Sequence, residues 1–231
     1  MNLVVENSER KVIFDDFTDE KIDIAVGENS SLILYTLGSN GCSKRCFNIV
    51  LKRNSIFRHF NILMKTPDVS TDIHLTFEAE GAECELNGCI VAVGKHHIEN
   101  HTLIDHKAGH CKSNELYKYV LSDEAVGVFE GRVLVWPNAQ KTVSQETNQN
   151  LCTTKECRMF TKPELEIYAD DVKCSHGSTV GQLNDAALFY MQQRGIPPTQ
   201  AQKLLQDAFI AEVLDRIPDK AIYMKLKGVK S

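Results

Sequence analysis

A polar corner, a small residue and a short strand recur along the first 170 or so residues of this chain. The unit reads Glu28-Asn29-Ser30-Ser31-Leu32, Arg53-Asn54-Ser55-Ile56, Glu80-Gly81-Ala82-Glu83-Cys84 and Asp123-Glu124-Ala125-Val126. Its small residues Ser31, Ser55, Ala82 and Ala125 are spaced by 24, 27 and 43 positions, the last near two periods. A unit this short cannot bury an apolar face alone, so copies must stack on one another. A period in the low twenties with two or three strands each predicts a β-solenoid. A β-sandwich or barrel has similar strand spacing and stays open on periodicity alone. The expected strands include Val4–Val5, Ser31–Leu37, Phe47–Leu51, Ile73–Phe77, Cys84–Leu86 and Arg132–Trp136. Several alternate apolar and polar residues, as in Ile73-His74-Leu75-Thr76-Phe77, the pattern of a strand with one buried face.

The texture changes after Ala169. Asn184 is placed to cap a helix through Asp185–Met191, and Gly195 to end it in a left-handed conformation. Pro197-Pro198 breaks the chain. Thr199-Gln200-Ala201-Gln202 has the form of a capping box, opening a helix to about Ile217. Pro218 stops that helix, and a third covers Lys220 to Lys227. The second helix carries two apolar stripes. One is Ala201, Leu204, Leu205, Ala208, Phe209 and Val213; the other is Ile210, Leu214 and Ile217. One stripe packs on the chain itself, and the other is free to meet a partner or the third helix.

Composition narrows the function. A net charge of −5 argues against nucleic-acid or membrane-surface binding. The pairs Lys44–Arg45 and Lys52–Arg53 read as solvated strand or turn positions. No apolar run reaches 18 residues, and Met1–Arg10 lacks the pattern of a signal peptide. Eight cysteines in a chain of this size with no export signal are expected to be reduced thiols. Cys42/Cys46, Cys84/Cys89 and Cys152/Cys157 lack zinc-ribbon spacing and are read as core or corner residues. There is no phosphate-binding G-x4-G-K-S/T loop and no G-x-S-x-G nucleophile turn. Asp170 and Asp171, adjacent on a strand, face opposite sides. Cys174 and His176 are two apart in an extended segment, which puts a thiol and an imidazole on one side, a pairing that spacing alone reads as structural or incidental. His96, His97, His101, His106 and His110 form a dense group that suits a metal site.

The stretch Pro163–Gly195 contains Tyr168-Ala169-Asp170-Asp171-Val172, Lys173-Cys174-Ser175-His176-Gly177 and Gly181-Gln182-Leu183. It resembles the C-terminal signature of the SufD branch of the SufB/SufD family, of the Suf iron–sulfur cluster assembly system. Gly131-Arg132-Val133, Asn138-Ala139-Gln140-Lys141-Thr142, Asn100-His101-Thr102 with Asp105-His106, and Asn148–Leu151 extend the likeness. It is detailed over residues 80–217 and weak before them. Where SufB-like chains are similar to a carboxylate pattern with a Thr/Ser-Lys element, this chain has Cys174-Ser175-His176-Gly177, the SufD form.

The resemblance implies a mainly β fold: a right-handed parallel β-helix over residues 1–177, then a small α-helical subdomain over 178–231. It implies a non-enzymatic cytoplasmic scaffold that pairs with a SufB-like paralogue through the β-helix and docks a SufC-like ABC ATPase through the helical region. Ile210, Leu214 and Ile217 are the candidate docking stripe. His176 would sit at the paralogue interface, with Cys174 as an accessory. No cofactor would be tightly held, only transient iron or a nascent cluster at that interface. Family members are longer, with an N-terminal helical region and further rungs. An uncovered solenoid end exposes strand edges, so a homodimer is expected without the paralogue. The alternative is a metal-dependent β-helix or cupin-like enzyme. It requires at least three ligands from the His96–His110 group to converge.

Overall fold

The computed structural model describes residues 1–15, 17–38, 41–64 and 66–229. Successive strands alternate between two seven-stranded parallel sheets. The first sheet holds β1 (Asn2–Val5), β3 (Lys21–Val26), β5 (Lys44–Leu51), β7 (Val69–Phe77), β9 (His97–His106), β11 (Val126–Val135) and β13 (Arg158–Ile167), in that order. The second holds β2 (Arg10–Phe14), β4 (Ser31–Leu37), β6 (Ile56–Met64), β8 (Glu83–Ala92), β10 (Lys112–Leu121), β12 (Val143–Cys152) and β14 (Lys173–Gly181). Each strand pairs with the strand two places later, so the chain winds as a β-solenoid. Three helices follow: α1 (Asp185–Gln193), α2 (Pro198–Leu214) and α3 (Lys220–Val229). Among the described residues no helix is long and apolar enough to cross a membrane.

Alternation within each strand aims every second side chain inward, and register stacks those side chains into columns. Val5, Val26, Leu51, Phe77, His106, Val135 and Ile167 form one such column. In it the Phe77 and His106 rings stack 4.2 Å apart. The corner before the second-sheet strands is also a column. Ser30, Ser55, Ala82, Cys111 and Thr142 stack there, almost fully buried. The residue before each has positive φ: Asn29, Asn54, Gly81, His110 and Lys141. Four of these are not glycine, and asparagine tolerates this left-handed region better than most residues.

This corrects the repeat read from the sequence. Ser31 is one position past the stacked residue. Ala125 belongs to the opposite corner, where Asp123 stacks on Gly94 and accepts a hydrogen bond from the Gly94 N–H at 3.0 Å. Both corners turn at a left-handed residue, but at Asp123 the exposed Glu124 stands between it and the buried Ala125. The rung also lengthens along the chain, from Asn2↔Asp23 to Val126↔Arg158.

Arg45 is a second correction. It is 1% exposed and points into the solenoid, where Nη2 donates to Asp15 Oδ1 at 2.5 Å. Thr36 donates to the other Asp15 oxygen at 3.0 Å, and His59 Nε2 lies 3.0 Å from the Thr36 hydroxyl. Burial, then the Arg45 charge, lowers the His59 pKa to about 3, so His59 is neutral.

The helices cover the outer face of the second sheet. Tyr35, Phe60, Ile62, Cys89, Leu116, Val120 and Leu151 meet Ile210, Val213, Leu214, Ile217, Ile222 and Leu226. Each fully buried side chain of this size contributes about 1.5–3 kcal/mol. Polar contacts set the helix in place. Lys118 donates to the Phe209 carbonyl at 3.0 Å and pairs with Glu212 at 2.5 Å. Arg216 donates to Asn114 at 2.8 Å and Asn87 at 3.2 Å. Asn184 caps α1 by accepting from the Ala187 N–H, and Gly195 follows it at φ +83°. The expected capping box at Thr199 does not form. Pro198 opens α2 instead, because its missing N–H would be unpaired in the first turn anyway.

Candidate functional site

β14 is the edge strand of the second sheet and β13 that of the first, so the terminal rung has one neighbour and one uncovered side. Most of β14 is exposed. Its register on β12 fixes which side chains face inward. Cys174 stacks on Ser144, His176 on Glu146, Ser178 on Asn148 and Val180 on Asn150. Ser144, Glu146, Asn148 and Asn150 are all buried, so Cys174 and His176 lie on the inward side of an edge with no rung beyond. The two residues of the sequence motif are therefore brought together, two apart on one face. Cys174 is half-buried against the core. Burial pushes its thiol pKa up, with the Ser144 backbone opposing, so the free chain holds a protonated thiol. His176 is exposed. Thr161 on β13 ties the two edges together through Ser178 at 2.7 Å and Asn148 at 2.8 Å. Phe160, Tyr168 and Val180 are exposed around this end.

The histidine group does not converge. His97 and His101 project outward from β9, where His97 meets Glu99 at 3.1 Å and His101 lies between Glu130 at 3.2 Å and Glu99 at 3.4 Å. His96 is 3.0 Å from Asp68, and His110 is a corner residue. His106 points inward, its Nε2 2.9 Å from the Ser113 hydroxyl, and burial lowers its pKa to about 3. Among the described residues no three His, Cys, Asp or Glu side chains gather where they would hold a metal ion. The metal-enzyme alternative therefore lacks its ligand set.

Ile210, Leu214 and Ile217 are buried against the chain's own sheet. This corrects the expectation that they face a partner: the outward apolar residues of β4, β6, β8 and β10 need a cover, and this stripe supplies it. Of the other stripe, Ala201 and Val213 are buried, Leu204 is exposed, and Phe189 and Tyr190 on α1 are exposed beside it.

A polar interior lies beneath the terminal rung that the sequence reading missed. Ser113 donates to Ser144 at 2.8 Å, continuing from His106 towards Cys174. Glu115 and Glu146 are register partners, each 1% exposed, in line with His176. Among the described residues none of their four carboxylate oxygens has a hydrogen-bond partner. Burial, then the Glu146 charge, holds the Glu115 pKa well above the usual carboxylate range. Burial raises that of Glu146 to about 7. The available signal was that Ser144, Glu146, Asn148 and Asn150 occupy alternate positions of one strand, with no apolar residue among them.

The chain matches the family model described as SUF system FeS cluster assembly, SufBD core domain, over residues 3–209. It is 40% identical over 143 residues to the iron–sulfur cluster assembly protein SufD of Escherichia coli, covering 62% of this chain and 34% of that protein. A SufBD family protein of Synechocystis is 37% identical over 156 residues, covering 68% of this chain and 34% of the relative. One from Mycobacterium leprae is 34% identical over 176 residues, covering 73% and 45%. The chain thus spans between a third and a half of the length of these relatives.

Proposed function

We propose that this chain, which belongs to the SufBD core family, is a SufD-like scaffold for iron–sulfur cluster assembly that works by pairing rather than by catalysis. The carrying observation is the placement of Cys174 and His176, two apart on the inward side of the exposed edge strand β14. Thiolate and imidazole both bind iron, and an edge site leaves coordination positions for ligands from a second chain. An edge strand also offers unpaired backbone groups to another strand. A SufB-like paralogue is the partner this reading assigns to that edge, with a second copy of the chain taking its place in its absence. Iron, or a nascent cluster, is the cargo. The protonated Cys174 thiol must lose its proton to bind it, which a metal promotes.

The outer side of the helices is the surface this reading assigns to a SufC-like ATPase, since Phe189, Tyr190 and Leu204 are exposed there. Co-expression of the wild-type chain and His176→Ala with the cognate SufB-like and SufC-like proteins tests the proposal. The expected result is a complex with both variants and iron–sulfur absorbance with wild type alone. A wild-type chain that forms no complex with either protein would refute it.

A further inference from the structure

Among the described residues the buried carboxylate pair has no counter-charge. Glu115 and Glu146 occupy adjacent rungs in one inward column, and no lysine or arginine is paired with either among the described residues. Burial raises both pKa values, the Glu146 charge adds to the rise in Glu115, and no cation lowers either. The opposite wall is shaped to receive them. Gly131 of β11 faces Glu146, and a methyl group there would collide with the Glu146 carboxylate. Its register partner Thr102 is 4% exposed with an unpartnered hydroxyl. That hydroxyl approaches Glu115, opposing the rise in its pKa, without reaching the geometry of a formed hydrogen bond. Where an earlier rung buries charge, Arg45 and Asp15 neutralise each other. A converging set of unsatisfied oxygen donors is the chemistry of a hard or borderline divalent cation.

We propose that the last rungs of the solenoid hold a divalent cation between the carboxylates of Glu115 and Glu146. Thr102 contributes a neutral oxygen, and the site lies one rung in from His176. The site uses two carboxylates and a hydroxyl, a donor set different from Cys174 and His176. It stands on these interior residues alone and is independent of any partner. A cation there would displace the protons that the pair otherwise holds.

The test is a titration of the chelator-stripped chain with Mn2+ at pH 7.5, following free Mn2+ by electron paramagnetic resonance. An anaerobic Fe2+ titration runs in parallel. The wild-type chain is expected to bind one Mn2+ saturably. Glu115→Gln with Glu146→Gln should bind more than about a hundredfold more weakly, since losing even an outer-shell partner costs 10–100-fold. Cys174→Ser with His176→Ala should bind as wild type does. Folding is checked by circular dichroism, and Glu146→Gln alone, expected to lose at least about tenfold, serves if the double variant fails to fold. Two results overturn the proposal. In one, neither Mn2+ nor Fe2+ binds saturably, and the pair holds a shared proton only. In the other, the double glutamine variant binds like wild type while the Cys174/His176 variant does not.

Discussion

Replacing Glu146 by glutamine should stabilise this protein at alkaline pH and change little in acid. Burial raises the Glu146 pKa from 4.5 to about 7. Between those values the folded chain binds a proton that the unfolded chain releases. The associated stability is fully present below pH 4.5 and is lost as pH rises through about 7. Above that, the loss amounts to about 3 kcal/mol, taking about 1.4 kcal/mol for each pKa unit. Glutamine keeps the shape and cannot ionise. In a metal-free buffer containing a chelator, Glu146→Gln should match wild type within about 1 kcal/mol at pH 5. At pH 8 it should exceed wild type by up to about 3 kcal/mol, a melting-temperature gain of about 6–12 °C for a chain of this size. Thermal melts at one scan rate across pH 5–8 read this directly. A variant less stable than wild type at pH 8, or a difference that does not grow with pH, would refute the reasoning.

Other substitutions probe the same interior. Asp15→Ala leaves Arg45 buried without its ion partner and should cost about 3–5 kcal/mol. Asp15→Leu combined with Arg45→Met should recover much of this, read from urea midpoints at unchanged slope. Gly88→Ala drives a methyl group into the Tyr117 ring and should cost about 1–3 kcal/mol in the same assay. Lys118→Ala removes the Phe209 and Glu212 contacts. It should lower amide-exchange protection across α2 while leaving β4 and β6 protected, because helix docking is the part it weakens.

Strand positions and the family were legible because alternation and the Lys173–Gly177 motif are local signals. Ile73–Phe77 reads as a strand from its own residues, and the strand in the structure begins four residues earlier, at Val69. What lay inside the later rungs was not legible. In Ser144-Gln145-Glu146-Thr147-Asn148 both faces of the strand are polar, so period two carries no hydrophobic contrast. Only the register partners above and below reveal that Glu146 is interior. Arg45 was misjudged for the same reason: its partner Asp15 is 30 residues away. The role of Ile210, Leu214 and Ile217 depended on the outward face of the second sheet. That face carries apolar residues at alternate positions already counted as strand pattern.

The central claim is that the β14 edge is where a second chain completes the cluster site. Amide hydrogen exchange across Lys173–Gly181 tests it most directly, measured for the chain alone and with the SufB-like partner. The account predicts fast exchange at this edge in the free chain and marked protection in the complex, centred on Cys174–Ser178. Protection confined to α1 and α2, with β14 unchanged in a complex that still builds clusters, would contradict it.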